Sequence, residues 1–296
     1  MSVEALHDER AVCYRNALRP AGVTWRGPCS LCPAGSAPRS LVEVEIQMTV
    51  VVDERDVALD YETFMGRWSR VMAARFVDWL AVPAGRRWLE VWGIDPQAEY
   101  VARARAQLNG GRCHFLVGDA QALPDELGGF DVAVSALVLN LLADPLAGVR
   151  QKMRVTRPGG VVAAYVWDFA AGMRLLRHLW DAATALDPAA ATHDQGNRYP
   201  LCHPDRLRTL FGTAGLTDIE VRMLEVPTPL RNFDEYWESL ETGHGNAPAY
   251  VRSLSPRHRE RLRERIRGGL PKAADGSIPL TARAWAIRGR RGVLRV

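Results

Sequence analysis

The sequence predicts an α/β fold: a mostly parallel sheet with helices on both faces, interrupted by helical insertions. Three observations predict it. Short apolar runs at 113–117, 130–135 and 161–167 alternate with stretches of helical periodicity, the pattern of a parallel sheet covered on both sides. The run 161–167 is apolar without interruption, as a strand buried on both faces must be. The breakers Asn109-Gly110-Gly111 and Arg157-Pro158-Gly159-Gly160 fall where one element has to give way to the next.

The bulk numbers bound the answer. With 296 residues, 47% of them hydrophobic, the chain can bury one sizeable core, or one core with a cap. A net charge of +4 is too small an excess for this length to argue for a nucleic-acid partner. The longest apolar runs, such as 132–142, are short and interrupted and do not reach across a bilayer. The first residues include Glu4, Asp8, Glu9 and Arg10 and lack the apolar centre of a signal peptide. A soluble, cytoplasmic protein with no membrane partner is the expectation. Five scattered cysteines, among them the pair Cys29 and Cys32, make no disulfide framework. With no second pair to complete a zinc site, they read as free thiols, and no metal is expected.

In chain order, residues 1–59 read as a flexible extension rich in Pro and Gly, with 42–52 as one extended strand and Met48 as an alternative start. From Asp60 the spacing of Phe64, Trp68, Val71, Met72, Phe76 and Leu80 predicts a helix. It is expected to lie against the sheet that begins at Arg87 and to end at Pro83 and Gly85. Residues 87–95 form a strand ending in Asp95, and 97–108 a helix with Tyr100, Val101, Ala104 and Leu108 on one side. A strand over 113–117 leads to Gly118-Asp119-Ala120. A polar loop, a strand over 130–135, and a helix over 145–155 follow. Beyond the strand 161–167 come a helix over 204–214, a strand over 219–226 and a last strand over 281–287 before a basic tail. The helix-rich stretches 170–198 and 232–278 are expected to cap the ligand edge.

Four motifs stand in a fixed order: Gly93-Ile94-Asp95, Gly118-Asp119-Ala120, Phe130-Asp131-Val132-Ala133-Val134-Ser135, and Arg157-Pro158-Gly159-Gly160. Together with the leading Tyr61-Glu62-Thr63-Phe64-Met65-Gly66-Arg67-Trp68-Ser69, this set resembles the class I S-adenosylmethionine-dependent methyltransferases. It is most similar to their small-molecule, UbiE-like (methyltransferase type 11) branch. The resemblance makes residues 60–296 a methyltransferase-like domain with a Rossmann-like sheet. It implies S-adenosylmethionine as cofactor, a small-molecule methyl acceptor and no nucleic acid. It also implies roles for single residues. Asp95 would accept hydrogen bonds from both ribose hydroxyls, since a carboxylate is an acceptor only and takes two donors. Asp119 would accept from the adenine amino group, Ala120 would offer its backbone N–H to a ring nitrogen, and Ser135 to Leu137 would lie near the methionine end. No catalytic base is implied.

The chain departs from the family at one place. Members carry a Gly-x-Gly-x-Gly turn after the first strand, where the backbone approaches the cofactor so closely that only glycine fits. Here Leu89-Glu90-Val91 runs directly into Trp92-Gly93-Ile94-Asp95. A parallel crossover needs roughly a dozen residues or more, so 87–95 is expected to fill one place in a sheet that is one strand–helix unit short. Impaired cofactor binding is the consequence, and a catalytically inactive methyltransferase-like interaction protein is the alternative.

Other clusters read as structural. His178 with Asp181, and His193-Asp194, are surface groups before they are bases. Tyr199 and Cys202-His203 form a helix-capping loop. The arginines at 257, 259, 261, 263, 265 and 267 share a solvated helix, with Glu260 and Glu264 three residues before Arg263 and Arg267. Phe233, Tyr236 and Trp237 pack a core or cap.

Overall fold

The computed structural model describes residues 67–81, 91–107, 113–243 and 245–293. The expectations for 1–59, including the strand over 42–52 and the Cys29–Cys32 pair, lie outside the described residues. So does the stretch 82–90, on which the missing strand–helix unit rests.

Helix α1 (Arg67–Leu80) buries Trp68, Met72, Phe76 and Leu80 as their spacing requires, but leaves Val71 46% exposed. The helix lies against the later strands. The Phe76 ring meets Tyr165 at 4.7 Å, and Trp79 donates to Glu220 at 3.2 Å. Both partners belong to the later strands β4 (Thr156–Trp167) and β5 (Leu216–Pro227), so the helix covers the far sheet.

Strand β1 (Val91–Asp95) leads into α2 (Ala98–Gln107). Strand β2 (Cys113–Val117) then pairs with β1 in parallel, Asp95 opposite Val117. These two form a sheet of their own. Strand β3 (Phe130–Ala136) and helix α3 (Pro145–Val155) follow, the helix capped by Asp144, which accepts from Ala147 N, with Pro145 in its first turn. The second sheet has the order β3-β4-β6-β5, where β6 is Thr281–Arg291. β3 and β4 are parallel, and β6 runs antiparallel to both its neighbours.

In a doubly wound sheet of order 3-2-1-4-5-6 the two halves meet at strand 1. The described strands fall on either side of that place, β2-β1 and β3-β4-β6-β5, and no described strand joins them. The parallel α/β architecture is the one the sequence predicts; its last strand adds antiparallel pairing.

Two segments run differently from their sequence reading. Arg157-Pro158-Gly159-Gly160 does not separate a helix from a strand but lies inside β4, at a register shift against Phe130 and Val132. Glycine is needed there: a Cβ on Gly160 would sit 2.8 Å from the Asp131 carbonyl oxygen. The basic end of the chain is not a tail either. β6 continues through Arg288, Arg290 and Arg291, because each finds an acceptor: Glu220 at 2.6 Å, Gly159 O at 3.1 Å, and Thr156 O at 2.5 Å.

The insertions are helical. After β4 come α4 (Arg174–Leu186) and the short α5 (Gln195–Arg198), then α6 (Pro204–Thr213). After β5 come α7 (Phe233–Thr242), α8 (Asn246–Ser253) and α9 (Pro256–Gly269). Tyr236 and Trp237 are buried, as core packing requires. Arg263 and Arg267 stand 3.9 and 3.5 Å from Glu260 and Glu264.

Candidate functional site

In open α/β sheets ligands bind beyond the carboxyl ends of the parallel strands. The sequence-predicted residues converge there in part. Asp95 ends β1 and is 7% exposed. Its Oδ1 accepts from Gln97 N at 2.8 Å, a turn that starts the chain towards α2. The Asp95 carbonyl accepts from Gly118 N at 3.0 Å, which sets Asp119 one residue further on along the same edge. The parallel pairing therefore brings Asp95 and Asp119 out at one end of the β1–β2 sheet.

Asp119 is held from its own loop. Its Oδ1 accepts from Gln121 N at 2.8 Å and from Gln121 Nε2 at 3.1 Å, and its Oδ2 accepts from the same Nε2 at 3.2 Å. Gln121 Oε1 in turn accepts from Asp144 N at 2.6 Å, so the loop is tied to the start of α3. Arg154 on α3 clamps the same loop, donating to Leu123 O at 2.9 Å and Pro124 O at 3.0 Å. Ala120 is buried, and no acceptor for its N–H is found among the described residues.

Ser135 is carried by the other sheet. It is fully buried in β3 opposite Ala164, and its Oγ has no hydrogen-bond partner among the described residues. A buried hydroxyl without a partner costs free energy. Leu137, two residues on, takes a φ of 59°, a conformation disfavoured for a side chain of its size. It is pinned by its N–H to Tyr165 O at 2.9 Å. Such strain collects at functional edges.

The other candidate groups are engaged elsewhere. Asp194 receives both Arg177 terminal nitrogens at 2.8 Å, and Asp181 also takes one at 2.8 Å. His193 packs on Tyr250, with ring centroids 5.2 Å apart. Burial and the neighbouring Arg174 hold His178 below its ordinary value, with Asp181 opposing. His203 caps α6, its side chain accepting from Asp205 N, as expected of that loop. Cys202 is buried as a free thiol, pushed up by burial and by Asp168, which disfavours the thiolate form. Among the described residues no His, Cys, Asp and Glu cluster could hold a metal, and no helix is long and apolar enough to cross a membrane.

A cavity of about 460 Å³ opens at the opposite edge, where β3 and β4 begin. Ion pairs cross its wall, Arg157 to Asp131 at 2.5 Å, Arg288 to Glu220 at 2.6 Å and Arg290 to Asp218 at 4.0 Å. Its charges satisfy one another, which makes it a poor ligand site.

Sequence reasoning missed Gln121, Arg154 and Arg177. Gln121 follows Asp119-Ala120 directly, and that adjacency was the one signal available. The two arginines lie in helices with nothing local to mark their distant partners.

Comparison with known proteins bears on the same residues. Residues 73–164 match the model of a family described as methyltransferase domain. A curated demethylmenaquinone methyltransferase of Roseiflexus castenholzii is 28% identical over 180 residues, 56% of this chain and 70% of that protein. An uncharacterized 37.1 kDa protein of a Streptomyces fradiae transposon is 38% identical over 89 residues, 29% of this chain and 25% of that protein. Among solved structures, a putative methyltransferase of Bacillus halodurans is 12% identical, with a TM-score of 0.43 over 69% of this chain and 84% of its own. A Haemonchus contortus phosphoethanolamine methyltransferase, solved with S-adenosylhomocysteine, is 16% identical, with a TM-score of 0.46 over 79% of this chain and 57% of its own.

Proposed function

We propose, for a chain that resembles the class I S-adenosylmethionine-dependent methyltransferases, methyl transfer to a small-molecule oxygen, nitrogen or carbon, with cofactor affinity lowered by the absent glycine-rich turn. One observation carries the reading. Asp119 keeps a carboxylate acceptor site and Ala120, next to it, keeps an N–H donor. Adenine presents an amino donor beside a ring-nitrogen acceptor, which matches that pair.

The residues present fit the cofactor. Asp95 is the acceptor for the ribose hydroxyls, and Asp119 with Ala120 N–H holds the adenine edge. The orphaned Ser135 hydroxyl suits the polar methionine end. When bound, S-adenosylmethionine supplies a methyl group activated by a sulfonium. The protein's own part is to orient the acceptor in line and exclude water, since positioning provides most of the rate in such displacements. The helical insertions after β4 and β5 are the candidates for that cover.

A second reading is supported by the glycine-rich turn missing from the sequence, where Leu89-Glu90-Val91 runs directly into Trp92-Gly93-Ile94-Asp95: a methyltransferase-like protein that keeps the fold for interaction without catalysis. Calorimetric and NMR titration of the full chain with S-adenosylhomocysteine separates the two. Saturable binding in the millimolar range is expected. Micromolar affinity would overturn the impairment, and no saturable binding would favour the second reading.

A further inference from the structure

We propose that Gln121 is a positioning residue, one that makes Asp119 a single-site acceptor and so selects an amino-bearing purine. The inference rests on the cofactor reading above and deepens it. A carboxylate offers about four lone-pair sites, two on each oxygen. The backbone N–H and the side-chain amide of Gln121 occupy both sites on Oδ1, and the same amide leans on Oδ2 at 3.2 Å. One site on Oδ2 is left for a ligand donor.

The arrangement is braced from outside. Gln121 Oε1 accepts from Asp144 N, and Asp144 is the capping residue of α3, accepting from Ala147 N at 3.0 Å. The Gln121 side chain therefore has its acceptor fixed by a helix start and its donor fixed on the carboxylate. A carboxylate free to rotate about its last bond can swing away from an ill-matched ligand; one locked by its neighbour cannot. Gln121 thus converts a general acceptor into a test for a hydrogen on the ligand's exocyclic group. A base with a carbonyl at that place would meet the locked oxygen of the half-buried Asp119 lone pair to lone pair, and a site whose polar group is left unmatched in this way discriminates against that ligand.

The test compares S-adenosylhomocysteine with S-inosylhomocysteine, in which a carbonyl replaces the amino group, by NMR titration of the full chain at millimolar concentrations. The wild type is expected to favour the adenosyl compound. In Gln121→Ala, and in Gln121→Glu, which keeps the shape but has no side-chain donor, adenosyl affinity should fall about tenfold, the worth of one to two hydrogen bonds. The adenosyl-to-inosyl preference should shrink with it. A merely structural Gln121 would lower the melting temperature and both affinities together, leaving the preference unchanged; that result overturns the proposal. Arg154→Met serves as the control, loosening the same loop without touching the carboxylate, and should leave the preference intact. If the wild type binds neither compound, the cofactor reading itself fails and this inference with it. Wild-type binding without preference overturns this inference alone.

Discussion

The two sheets are built to different standards. The β3-β4-β6-β5 sheet is held by long ladders, seven register pairs between β4 and β6 and ten between β5 and β6. Side-chain pairs also cross its strands, as where the buried Asp168 meets Arg283 at 2.5 Å. The β1–β2 sheet has five register pairs and no third described strand. Ile94, Trp92 and Leu116 attach it to the main core. A two-stranded sheet is marginal unless it packs on something larger. Yet this weaker piece carries Asp95 and Asp119, while the stronger one carries Ser135. A ligand spanning the candidate site would touch both sheets.

The contrast can be tested at its strongest point. Ile287 lies fully buried in β6, and Ile287→Ala should destabilise the whole protein by about 3 kcal/mol in denaturant melts. Hydrogen exchange should show β1–β2 amides opening well below the global unfolding free energy, and β4 and β6 amides only with it. Equal protection in the two sheets would erase the distinction.

A second test sharpens the account of the large sheet's helical cover. Lys152 on α3 is fully buried, and burial brings its ammonium down from 10.5 to about 7. The folded state thus binds fewer protons than the unfolded state between about pH 7 and the ordinary lysine value. Stability should rise with pH across that window, at up to about 1.4 kcal/mol per unit for one proton, and be lowest below it. Lys152→Met should remove the slope and raise the melting temperature at neutral pH. A wild-type profile flat across the window would contradict the burial effect.

The smallest effect belongs to Ser135. Replacing an unpartnered buried hydroxyl removes a desolvation penalty, so Ser135→Ala should raise unliganded stability by at most about 1 kcal/mol. The same change should weaken S-adenosylhomocysteine binding. Opposite signs in stability and affinity mark a hydroxyl kept for a ligand; a loss in both would mark an ordinary core residue.

Local pattern made much of this legible. The helix over 145–155 and the strand 113–117 appear with the bounds their sequences suggest, because capping residues and apolar runs act within a few residues of themselves. Gly118-Asp119-Ala120 could be placed beyond a strand for the same reason. The helix α1 was recognisable, but its seat on β4 and β5 was not, since its contacts lie about 90 to 140 residues away. Arg157-Pro158-Gly159-Gly160 read as a breaker because proline and glycine usually end elements. Here the register shift against β3 uses them inside a strand.

By itself, then, the sequence determined the order of the elements, the buried stripes and the acidic residues at two strand ends, all consequences of short-range periodicity and backbone preference. Tertiary structure alone decided that the described strands part into two sheets and that the basic end of the chain extends β6 through paired arginines. It alone left the Ser135 hydroxyl without a hydrogen-bond partner among the described residues and gave Gln121 its hold on α3. Those outcomes depend on which distant groups can satisfy one another's hydrogen bonds and charges, and no local pattern carries that information.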